Sequence, residues 1–192
     1  MLWMILGLVL FLGVHSVRIV ADDWRGRTIA RLGEGPWKGL YSLASIAGFA
    51  LILWGFSLAR QQPQVLWEPP AGMRHAAALF TLVAFVLVVA AYVPRNHFKA
   101  RLHHPMLLGV KSWAFGHLLA NGTLAHIILF GSFLAWAVAD FIVSRRRDRA
   151  LGTVYPAGTA AGTAITVVVG VAAWYAFAFW LHGLWIGVRP LG

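Results

Sequence analysis

Apolar residues in this chain gather into six long stretches, with the charged residues clustered between them. The stretches run at about Leu2–Val20, Leu40–Leu58, Ala76–Val93, Pro105–Ala120, Leu124–Val143 and Ala164–Val188. Runs of about 20 apolar residues span a bilayer's hydrocarbon core as α-helices. A helix also satisfies its backbone polar groups internally, which lipid cannot do for it. The fourth stretch is short, and only Asn121–Gly122 separates it from the fifth. Together those two are too long for one crossing, so a tight helical hairpin is predicted. The expected fold is all-α, a polytopic transmembrane bundle of six helices forming a single domain over residues 1–192.

Lys and Arg then orient the bundle. Arg18, Arg25, Arg27, Arg31 and Lys38 attach to the first loop, Arg95, Lys99 and Arg101 to the third, and Arg145, Arg146, Arg147 and Arg149 to the fifth. The opposite side holds Arg60, Arg74 and Arg189, and Lys111 stands inside a stretch. The positive-inside rule therefore places loops one, three and five in the cytoplasm and both termini outside. The charge follows the first apolar run instead of preceding it, so that run is expected to stay as a helix and not be cleaved as a signal peptide.

Composition agrees: 60% of residues are hydrophobic and 11% charged, and the mean hydropathy is +0.73. The net charge of +10 does not indicate nucleic acid, because the basic residues sit beside hydrophobic spans. Anionic headgroups of the lipid bilayer are the expected partner for them. The absence of cysteine excludes disulfides, iron–sulfur clusters and thiolate chemistry. No Walker A, dinucleotide-fingerprint, HExxH or GxSxG pattern occurs, and no internal repeat is visible. Of ten Trp residues, Trp3, Trp24, Trp37, Trp67 and Trp185 fall near span ends, as an aromatic belt requires.

The candidate chemistry lies in eight histidines: His15, His75, His97, His103, His104, His117, His126 and His182. A titratable ring inside a membrane bundle needs a partner or a function. Topology puts His15, His97, His103 and His104 toward the inner side and the others toward the outer. On one helix His104 and His117 would be separated by about 20 Å and about 140°, so they cannot share a metal. The workable pairs are His15 with His103 or His104, or His117 with His126 or His182. The inner pair suits a haem held by two imidazoles. Leu8, Phe11 and Leu12 would wall it, and Arg18, Lys99 and Arg101 are placed to meet propionates. The plainer role for His15 is a hydrogen bond across a helix interface. His117, close to Asn121, and Lys111, on the helical face of His104, are further candidates. Lys111 could snorkel, contact an anionic group or pair with Asp140.

Four segments carry a family resemblance: Gly7–Arg18 (GLVLFLGVHSVR), Gly33–Ser45 (GEGPWKGLYSLAS), His104–Gly122 (HPMLLGVKSWAFGHLLANG) and Phe130–Asp140 (FGSFLAWAVAD). With them the chain resembles the NnrU family of bacterial inner-membrane proteins along nearly its whole length. That family is similar to zeta-carotene isomerase, a membrane haem b protein that isomerises a polyene double bond when its iron is reduced. The resemblance implies haem b as cofactor, with the His of the His-Ser motif (His15) and the His of the His-Pro motif (His104) as metal ligands. It also implies a link to nitrite and nitric oxide metabolism, with nitric oxide or a lipid-soluble polyene as the small-molecule ligand.

Two other functions stand beside this one. A haem-free accessory, scaffold or small-solute transport protein of denitrification would use the same bundle. A nucleotide-cofactor membrane enzyme would use the His-Pro-x-x-x-Gly stretch (His104–Gly109), which looks like one in isoprenylcysteine methyltransferases and membrane sterol reductases. The methyltransferases rely on acidic residues near the C-terminus, and no acid follows Asp148 here.

Overall fold

The computed structural model describes residues 1–191. The helices are α1 (Leu2–Val20), α2 (Asp22–Leu32), α3 (Glu34–Ala59), α4 (Met73–Tyr92), α5 (His97–Leu102), α6 (Pro105–Ala120), α7 (Leu124–Leu151) and α8 (Ala160–Ala176). The last of these continues through a π-helical turn, Phe177–Leu181, into α9 (His182–Ile186). Among the described residues five helices are long and apolar enough to cross a membrane: α1, α3, α4, α7 and the continuous Ala160–Ile186. Six were expected, and the difference is α6, whose 16 residues rise only about 24 Å. The first basic loop is also more ordered than its sequence suggested, since most of it forms α2.

Neighbouring helices pack in the order α3–α1–α7–α6–α4–α8. Lipid gives apolar side chains no reason to leave it, so association rests on close backbone approach and interlocking shape. The α1–α3 pair illustrates this. A Cβ on Gly7 would lie 2.5 Å from the Ile52 nitrogen, and one on Gly48 would lie 2.8 Å from the Phe11 nitrogen. A Cβ on Gly55 would overlap the Met4 backbone. Around this seam Met4, Leu8, Ile52, Ala59, Ala114, Ala125, Leu129 and Phe130 form the buried core between α1, α3, α6 and α7. Outward-facing residues stay apolar and bare, as with Val9 at 67%, Leu43 at 68% and Val168 at 66% exposure. Such a surface is soluble only in lipid.

The turns are tied by buried polar groups. Fully buried Asn96 donates to the carbonyls of Ala90 (2.9 Å) and Val93 (2.7 Å), closing α4. Its Oδ1 accepts from the Lys99 N–H at 2.8 Å, opening α5. At the other end, the predicted Asn121–Gly122 hairpin turn is clasped by the loop after α3. Leu66 N–H donates to the Gly122 carbonyl (2.8 Å) and Leu124 N–H to that of Gln64 (2.9 Å).

Candidate functional site

Where α1, α2, α3, α6 and α7 meet, toward the end that carries most of the basic residues, they border a half-open cavity of about 730 Å³. His15 and His104 both line it, together with His103. That volume falls within the range of small-molecule and cofactor sites. Its walls are apolar or aromatic (Val14, Tyr41, Met106, Leu107, Trp136), and Arg18, Arg25, Lys38, Lys99 and Arg147 bring positive charge to it.

His15 sits on α1 with its Nδ1–H donated to the Phe11 carbonyl at 2.6 Å. A neutral ring fixed in that way keeps its lone pair on Nε2. Histidines that bind metals are held in this manner, with the second nitrogen anchored to a carbonyl or carboxylate. Phe11 stacks on the His15 ring at 4.2 Å, and Trp136 meets it edge-on at 6.0 Å. The indole Nε1 of Trp136 is buried with no hydrogen-bond partner among the described residues, an arrangement that costs stability.

His104 is set up differently. It forms the N-cap of α6, with Pro105 at the first helical position. Its Nε2 lies 2.7 Å from Oδ2 of Asp148 on α7. Tyr155 donates to the same oxygen at 2.9 Å. His103 stacks against Tyr155 at 4.3 Å, and its Nδ1 lies 3.9 Å from that oxygen. Burial pushes the His103 imidazole below its ordinary pKa and Arg145 lowers it further, against the pull of Asp148. The ring is therefore neutral near pH 7, and its approach to Asp148 is not an ion pair. Burial also raises the Tyr155 hydroxyl to about 12, helped by its bond to Asp148, so it remains a proton donor throughout the physiological range.

The cations are not all free. Asp22 lies within 4.0 Å of Arg18, 3.7 Å of Arg25 and 3.8 Å of Arg147, which links α1, α2 and α7. Lys38 pairs with Glu34 at 2.7 Å. Lys99 differs from these: its ammonium donates to the Ala91 carbonyl at 2.8 Å, and among the described residues no carboxylate pairs with it.

The structure therefore gathers His15, His104, Arg18 and Lys99 of the expected site, and leaves three other residues elsewhere. Arg101 lines a separate cleft with His97, Phe98, Leu102 and Thr163. Lys111 does not pair with Asp140; its ammonium lies 3.8 Å above the Phe141 ring. Neighbouring residues on a helix point about 100° apart, and Asp140 turns to the cavity, accepting from Ser144 at 3.1 Å. His117 is packed away from the cavity, stacked on Phe130 at 4.4 Å. No three His, Cys, Asp or Glu side chains converge as a metal cluster among the described residues.

Asp148, Tyr155 and Tyr41 were not singled out from the sequence. The available signal was Asp148, the one acid within the run Arg145–Arg149. No curated protein and no solved structure matches the chain. The family model described as NnrU protein matches residues 3–190, nearly its whole length, and the protein belongs to the NnrU family.

Proposed function

We propose that this protein binds haem b in the cavity between His15 and His104 and uses it on a small or lipid-soluble ligand. The observation that carries the reading is the convergence of the two imidazoles, one from α1 and one from α6, on a single apolar cavity with a basic edge. His15 suits a ligand role directly, since its anchored Nδ1 leaves Nε2 available. His104 suits it less simply, because Asp148 occupies its Nε2 and leaves Nδ1 as the donor. Arg18 and Lys99 would meet the propionates. When bound, the haem would supply one-electron redox chemistry. The residues of the chain would bind and orient it.

The accompanying topology has α6 as a short sixth crossing, paired with α7, in the inner membrane. Loops one, three and five are cytoplasmic and both termini outside, a sidedness resting on the clustering of Lys and Arg. Membership of the NnrU family supports a role in nitrite and nitric oxide metabolism, and redox-dependent isomerisation of a polyene is the second use of the same cavity.

The test is the visible spectrum of detergent-purified protein, as isolated and after dithionite. A Soret band that sharpens on reduction, and is lost in both His15→Ala and His104→Ala, is expected. If no band forms even with haem supplied during expression, the proposal fails and the accessory or transport reading takes its place.

A further inference from the structure

Two side chains bond to one oxygen at the basic end of α7, and a third lies near it. Oδ2 of Asp148 is approached by His104 Nε2 at 2.7 Å, Tyr155 Oη at 2.9 Å and His103 Nδ1 at 3.9 Å. A carboxylate only accepts, so the proton of the short imidazole bond must sit on Nε2 of His104. A neutral ring so fixed has its lone pair on Nδ1. His15 has the opposite arrangement, with Nδ1–H on a carbonyl and the lone pair on Nε2.

Two local structures hold the arrangement. Gly152 ends α7 in the left-handed conformation at φ 60°, and Thr153 N–H returns to the Asp148 carbonyl at 2.9 Å. That helix end folds the chain back so that Tyr155 meets Asp148 seven residues earlier. On the other side His103 adopts φ 67° and ψ −51°, and His104 N–H bonds to the Leu102 carbonyl at 2.8 Å. This is a γ-turn of the rare strained form, costing of order 1–3 kcal/mol. The strain is held at the step that turns His104 toward Asp148.

We propose that Asp148, anchored by Tyr155, is a positioning residue that fixes His104 with its proton on Nε2 and offers Nδ1 to whatever occupies the cavity. The proposal deepens the haem reading by naming the donor atom, but its first test needs no haem. In ¹⁵N-histidine-labelled, haem-free protein in detergent, His104 is assigned by its loss in His104→Gln. The expected spectrum shows a downfield proton on Nε2 that exchanges slowly, and a lone-pair signal for Nδ1. Asp148→Ala should lose that protected proton. Tyr155→Phe should keep it with exchange faster by about fivefold, the equivalent of one neutral hydrogen bond. Should Asp148→Ala fail to fold, Tyr155→Phe still reads the anchor. A proton on Nδ1 in the wild type, or exchange unchanged in the variants, overturns the inference.

Adding haem and reducing it separates the two proposals. A Soret band with the Nε2 proton retained supports both. A Soret band with that proton lost overturns the inference alone. No Soret band with the proton in place overturns the haem reading alone.

Discussion

His15 on α1 and His117 on α6 use the same local device. Each ring sends Nδ1–H to the carbonyl one turn back, to Phe11 at 2.6 Å and to Trp113 at 2.8 Å. Each also stacks on a phenylalanine, Phe11 at 4.2 Å and Phe130 at 4.4 Å. What differs is the side of the ring that remains. His15 borders a cavity of about 730 Å³ carrying cations. His117 is enclosed by Trp113 and Phe130, and Phe130 in turn stacks on His126 at 6.0 Å. A tautomer that leaves Nε2 unoccupied is thus compatible both with ligand binding and with packing. Space beside that nitrogen distinguishes the two.

The strongest test of this contrast is His15→Ala against His117→Ala. The first should abolish the haem spectrum of reconstituted protein, while the second should leave haem stoichiometry near that of the wild type. Equal loss in both would erase the distinction. Stability should move the other way. His117→Ala removes a ring from packed aromatics and is expected to cost about 2–3 kcal/mol, read as a lowered thermal midpoint in detergent. His15→Ala empties a ring that already borders a cavity and should cost less. The smallest effect belongs to Arg18→Gln, because Arg18 already shares Asp22 at 4.0 Å and is well exposed. A loss of at most about 1 kcal/mol in haem affinity, fading as salt is raised, is expected there.

Much of this was legible in the residues. The apolar stretches located every long helix, and the hairpin turn at Asn121–Gly122 lies where α6 ends and α7 begins. Helical geometry left His15 with His103 or with His104 on the basic side, and the family resemblance pointed to His104; all three rings line the cavity. Arg101 could not be placed in the same way. It and Lys99 are two residues apart on α5 and point about 160° away from each other, so only one could turn to the cavity. Nothing in the sequence told which. Asp148 stayed hidden because its partners are distant along the chain: His104 lies on another helix, and Tyr155 reaches it only through the left-handed turn at Gly152.

The sequence by itself determined the solvent of this protein, its long helices and the clustering of positive charge between them. Those depend on residue type and local spacing, because lipid admits only internally bonded backbone. Tertiary structure alone decided that α1 and α6 present their histidines to one cavity, that Lys111 lies over Phe141 instead of pairing with Asp140, and that His104 is bound to Asp148. Each of those outcomes depends on the rotation of one helix against another. In a bilayer that rotation is set by close-packing contacts such as Gly48 on Phe11 and Gly55 on Met4, since hydrophobicity outside the bundle matches that within it.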